Sequence, residues 1–258
     1  MMLRTIAAIA ATVCGLFASP PVAAQSTAPG DVRLLVSNGM KGSVEALHSQ
    51  LETAAGRRLA VEFGSTASLR KRIEAGEPFD VTVITTEAID DLIKAGKLTS
   101  ASRTNVGRSE LGIGIRAGAT RADISTPDAL KNALLASPSI TYPQDGASRG
   151  TLERMFERMG IAAQLTPKII LAPGSGPATE SVAAGKAAMV LTLFSEIVPI
   201  HGVEVLGPLP GEFRSDIRFA AAASTASQNG KAAAALIAYL SGPQAAPVLK
   251  SKGIDAPR

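Results

Sequence analysis

Four short turns in this 258-residue chain combine small residues with hydrogen-bond donors: Ser37-Asn38-Gly39, Gly64-Ser65-Thr66, Gly146-Ala147-Ser148-Arg149-Gly150 and Gly174-Ser175-Gly176. Hydroxyls and unobstructed backbone N–H groups at such turns suit a negatively charged oxygen. One turn of this kind needs only to cap the helix that follows it. Four of them, each between an apolar run and a helical pattern, read as an anion cradle. Lys41 and Arg149 stand in or beside these turns and can pair with a carboxylate.

Other chemistries fit less well. Cys14 is the only cysteine, and His48 and His201, the only histidines, lie far apart with no ligand spacing around them. No metal and no cofactor is expected on that basis. No G-x-x-x-x-G-K-[ST] is present, so the glycine turns are not a nucleotide loop. Residues 146–150, GASRG, do match G-x-S-x-G, and Glu180 or Glu196 followed by His201 keeps the chain order of a serine hydrolase. That motif needs a tight strand-to-helix turn, whereas Pro143 and Asp145 put a loop between Tyr142 and Ser148. Were a proton to move beside a bound guest, Glu87 and Tyr142 are candidates to move it.

The elements that position the turns follow from hydrophobic period. Short apolar runs at Val32–Val36, Leu59–Phe63, Val81–Ile84, residues 111–116, Ser139–Tyr142, Lys168–Leu171 and Ala187–Leu193 read as strands. Between them lie helical patterns. Val44, Leu47 and Leu51 share a face up to Gly56; Leu69 and Ile73 do so up to Gly76; Leu152, Met155, Phe156 and Met159 form an apolar stripe. Thr126 caps a helix with Pro127 in its first turn, and Lys231–Leu240 opens a helical tail. Alternating strands and helices imply parallel strands in α/β layers, and the two βα-rich stretches fit two lobes better than one sheet.

The N-terminus reads as an export signal, residues 1–24: a basic start ending at Arg4, an apolar run to Ala18, and Val22-Ala23-Ala24 before the cut. The protein is therefore expected in the periplasm. The formal charge of +4 is scattered, and aromatic residues make up only 3% of the chain, with no tryptophan. No nucleic-acid partner is expected from such a surface. The chain is read as a monomer.

With these elements in place, the sequence resembles the periplasmic molybdate-binding proteins and related type II solute-binding proteins of ABC transporters. The resemblance is carried by FGSTASLRKRIEAGEPFDVTVITT at residues 63–86, LERMFERMGI at 152–161 and YLSGPQAAPVLKSKGI at 239–254. DISTPDALKNALLASPSITY, residues 123–142, looks like a divergent branch that also includes aconitate isomerase. The resemblance implies an α/β, two-lobed type II periplasmic binding protein fold with a two-strand hinge. Its lobes are 25–107 plus 200–258 and 108–199. It also implies a small anionic ligand, a molybdate-like oxyanion or an organic carboxylate, and a permease of the inner membrane as partner. Enzymatic isomerisation of tricarboxylates is the alternative.

Carried over by position, Thr66, with Ser65 beside it, falls where the family uses a hydroxyl ligand, and Ser148 and Ser175 where it uses backbone amides, with Arg149 next to Ser148. Ser37, Asn38 and Gly39 form the first loop, but the family's serine there aligns with Gly39, and its later tyrosine with Leu193. A buried oxyanion loses on the order of 1 to 3 kcal/mol for each charge-assisted bond it cannot make. Molybdate itself is therefore expected to bind weakly.

Overall fold

The computed structural model describes residues 30–257; the expected export signal, with Cys14, lies outside them. Strand β1 (Val32–Ser37) is apolar on both faces, with Val32, Leu34 and Val36 in one core layer and Leu35 in another. A strand buried on both sides must be central. It pairs in parallel with β2 (Leu59–Gly64) on one side and β3 (Val81–Thr85) on the other. Helices α1 (Lys41–Ala46) and α2 (His48–Ala55) join β1 to β2, α3 (Thr66–Glu74) joins β2 to β3, and α4 (Thr86–Lys94) follows β3. The single helix expected up to Gly56 is broken at Leu47, and Gly56 ends α2 in the left-handed region, φ 63°.

The 13-residue strand β4 (Thr104–Arg116) starts well before the run at 111–116 and serves both halves of the molecule. Beyond it come α5 (Pro127–Ala136), β5 (Ile140–Pro143), α6 (Arg149–Arg158), α7 (Ala162–Leu165), β6 (Ile169–Ala172) and α8 (Ser175–Ala183). The chain continues through β7 (Met189–Leu193), α9 (Phe194–Ile197), β8 (Val203–Pro208), β9 (Asp216–Ala223), α10 (Gly230–Leu240) and α11 (Ala246–Ser251). The strands run in the order β2-β1-β3-β9-β4-β7-β5-β6, with β8 also on β4.

Only the outer strands of each half are parallel: β9 is antiparallel to β3 and β4, and β4 to β7 and β8. The all-parallel expectation fails here because β4 and β9 carry the chain between halves rather than closing a βαβ unit. Residues Thr104–Glu110 of β4 pair with β9 in the first lobe, while Leu111–Arg116 pair with β7 and β8 in the second. Since β8 pairs on the second side, the pairing carries that side past residue 199 to the segment before Asp216. Two lobes therefore meet along β4 and β9, and the strand ends that carry the turns face one another.

Candidate functional site

The C-terminal ends of β1, β2, β5 and β7 converge on a cavity of about 20 Å³. Its first-lobe wall is Ser37, Asn38, Ser65, Thr66 and Phe219; its second-lobe wall is Pro143, Asp145, Gly146, Ala147, Ser175, Leu193 and Glu196. Outside the carboxyl ends of such strands is where ligands bind in open α/β sheets. This volume holds little more than a water molecule. A larger guest enters only when the walls part.

Helices α3 and α8 both begin at this cavity, at Thr66 and Ser175, so their positive dipole ends are directed there. Ser65 caps α3, its hydroxyl accepting from the Ser68 N–H at 3.1 Å. The next hydroxyl, Thr66 Oγ1, is buried and has no hydrogen-bond partner. A buried donor left unpaired costs stability unless something else occupies it. Four hydroxyl side chains, from Ser37, Ser65, Thr66 and Ser175, thus stand around the space.

Gly39 lies behind this wall and explains the missing donors. A Cβ built on it would come within 2.5 Å of Phe219 Cζ and 3.1 Å of Leu193 Cδ1. The space a serine would use at position 39 is filled by the fully buried ring of Phe219 and by Leu193. Glycine, leucine and phenylalanine therefore act together to make one flank of the cavity apolar.

Glu196, in α9, brings an acid to the same lining. Its carboxylate accepts from Thr192 Oγ1. Loss of water around the carboxyl raises its pKa above the ordinary glutamate range; bonds from Thr192, Ser175 and the Leu193 N–H oppose this, and the Asp145 charge adds to it. Among the described residues, no lysine or arginine lines the cavity. A second, outer cavity of about 280 Å³ shares Asn38, Ser175 and Glu196 with it and adds Lys41, Glu45, Glu180 and Ser195.

Of the residues expected from sequence, Ser37, Asn38, Ser65, Thr66, Ser175 and Leu193 are brought together on this cavity, and Gly39 backs it. Ser148 and Arg149 are not. Ser148 is only 1% exposed and precedes α6 without lining the space; Asp145, Gly146 and Ala147 of the same loop line it instead. Arg149 is held by Glu153 at 2.8 Å and donates to the Gln144 carbonyl at 2.6 Å. Tyr142 is buried against Phe156, Glu87 lies on a separate pocket with Asp90 and Arg103, and His201 is exposed, so none of the three lines the cavity.

Residues 32–255 match the family described as bacterial extracellular solute-binding protein. The chain belongs to that family. Among its relatives, this solute-binding protein is 30% identical to the aconitate isomerase of Pseudomonas sp over 245 residues, 93% of this chain and 92% of the other. It is 25% identical to the molybdate-binding protein ModA of Azotobacter vinelandii over 228 residues, 86% and 89% of the two chains. The solved periplasmic molybdate-binding protein of Azotobacter vinelandii superposes with a TM-score of 0.76 at 18% identity, over 88% of this chain and all of the other. That likeness establishes the two-lobed fold of this solute-binding protein.

Proposed function

We propose that this protein is a periplasmic receptor that closes its lobes on a small organic anion and delivers it to an ABC transporter permease, after removal of residues 1–24 on export. The single observation that carries the reading is the split character of the cavity. Its lining sets the hydroxyls of Ser37, Ser65, Thr66 and Ser175 and two helix N-termini beside the apolar surface of Leu193, Phe219 and Pro143. An organic acid has both a charged oxygen group and a carbon skeleton to match these. A tetrahedral oxyanion needs donors all round and finds Phe219 and Leu193 where two would stand.

Closure is part of the reading, since donors from opposite lobes reach one guest only when the cleft shuts, with β4 and the passage into β9 as the hinge. A thermal-shift series with molybdate, sulfate, pyruvate, succinate and trans-aconitate tests it. A ligand at 100 times its Kd adds about 2.7 kcal/mol of stability. A carboxylate should raise the melting temperature most; a larger shift with molybdate would contradict the reading.

The second reading is an isomerase of the aconitate isomerase type. It is favoured by Glu196, a carboxyl on the cavity wall whose pKa burial raises above the ordinary glutamate range, and by the 30% identity to a protein of that name. Proton NMR of trans-aconitate incubated with the purified protein decides between them. No conversion is expected of a receptor, and sustained formation of the cis isomer that disappears in Glu196→Gln would establish the isomerase.

A further inference from the structure

The cavity read as an anion site carries an apparent contradiction. Its walls hold two carboxyls, Asp145 and Glu196, and among the described residues no cation lines it. Lys41, which lines the outer cavity, sits 3.9 Å from Glu45, and Glu180 shares that cavity. With both inner carboxyls ionised, an entering anion would meet two like charges at close range in a space shielded from water.

We propose that Glu196 enters the anion complex as a neutral carboxyl that donates a hydrogen bond to the guest, so that binding takes up one proton. This rests on the anion-binding reading above. The geometry assigns the role to Glu196 rather than Asp145. Its carboxyl lines the cavity, and Oε2 accepts from the fully buried Thr192 hydroxyl, with Ser175 and the Leu193 N–H as further neighbours, so the group is held at the wall where a protonated oxygen can donate to the guest. Glu196 also belongs to the wall between the inner and outer cavities, so the same group faces any guest that extends from one into the other. The proton balance is simple: ionised Glu196, anion and one proton from solvent give the complex of anion and neutral acid.

The charged groups on the elements packed against α9 leave Glu196 without a cation of its own. From α1 come Lys41 and Glu45, which pair with each other; from α8 comes the exposed Glu180; from the loop after β5 comes Asp145. On β4, Arg108 is engaged by Asp216 at 2.9 Å, Glu110 by Arg214 at 2.8 Å, and Arg116 is exposed at the strand end. On β8, Glu204 pairs with Arg121 at 2.8 Å. Burial and the Asp145 charge both favour the protonated acid, in agreement with the direction of its pKa.

Calorimetric titration with pyruvate and with trans-aconitate between about pH 6.5 and 8.5 tests the proposal. The expected result is an affinity that falls roughly tenfold per pH unit at the upper end of this range, with about one proton taken up when buffers of different ionisation heat are compared. In Glu196→Gln, whose amide donates at every pH, the affinity should lose that dependence. In Asp145→Asn the fall should move to lower pH, which keeps the proposal testable if Glu196→Gln does not fold. Binding that is flat with pH in the native protein, or as steep in Glu196→Gln as in the native protein, would overturn the role of Glu196 and leave the anion site standing. Failure of both probes to bind at any pH would overturn the organic-anion reading itself, and the proposal with it.

Discussion

The two walls of the cavity are built from the same kind of turn and differ in what they can do. The first-lobe wall, Ser37, Asn38, Ser65, Thr66 and Phe219, contains no carboxyl. The second-lobe wall contains two, Asp145 and Glu196. A wall of hydroxyls and helix N-termini recognises charged oxygen whatever the pH. A wall with carboxyls makes recognition depend on their protonation. On the proposed reading both lobes attract charged oxygen, the second through Ser175 and the α8 N-terminus, while only the second carries carboxyls that can select, and Phe219 and Leu193 stand where further donors would make the site indifferent to the shape of its guest.

The most severe way to break this arrangement is at its apolar flank. Phe219→Ala empties a fully buried ring site and should cost about 3 to 5 kcal/mol in urea denaturation. Gly39→Ser pushes a Cβ into that ring and should cost about 1 to 3 kcal/mol, and the double variant should lose less than the sum, because the cavity relieves the clash. Additive losses would mean that Gly39 and Phe219 do not share this space.

Thr66→Val separates recognition from stability. It should weaken carboxylate binding by about 1 to 3 kcal/mol while leaving the empty protein as stable as before or slightly more so, since an unpaired buried hydroxyl is removed. A loss of stability equal to the loss of binding would point to a structural hydroxyl instead.

The acid wall should appear in the empty protein too. Because the folded-state pKa of Glu196 is raised, the folded chain binds more protons than the unfolded one above the ordinary glutamate range. Stability should therefore decline as pH rises from about 4.5 toward the folded pKa, and Glu196→Gln should remove that part of the decline in melting scans.

The smallest effect is expected far from the cleft. Arg72 donates to Glu77 and lies 2.5 Å from Glu62, and its hydrogen bond holds the Glu77 pKa below the ordinary range. That contribution is present above about pH 4.5 and lost as pH falls through the folded pKa. These groups are partly exposed, so Arg72→Gln should cost at most about 1 kcal/mol and leave ligand affinity unchanged.

Much of this molecule was legible from local pattern. The βα units of both lobes follow from apolar runs and capped helices, and Ser65 and Thr126 cap α3 and α5 with hydrogen bonds to the Ser68 and Ala129 N–H groups. The segment from 200 to 230 was not legible. Strand β9, DIRFAAAA, has an alanine run that favours helix by propensity, and it becomes a strand only through pairing with β3 and β4. Phe219 was missed with it. Glu196 appeared in the sequence only as the acid of an unconvincing hydrolase order, and its place beside Thr66 depends on the two lobes meeting. Ser148 does not line the cavity, and Asp145, Gly146 and Ala147 of the same loop do, because spacing does not record loop shape.

The central claim is that the hydroxyl wall holds a small organic anion in this cleft. It is tested most directly by calorimetric titration of the native protein and Thr66→Val with whichever of pyruvate, succinate and trans-aconitate raises the native melting temperature most. The account predicts saturable one-to-one binding to the native protein, weakened about tenfold or more in the variant while the empty variant melts at an unchanged or higher temperature. Equal affinity in the two proteins would contradict it.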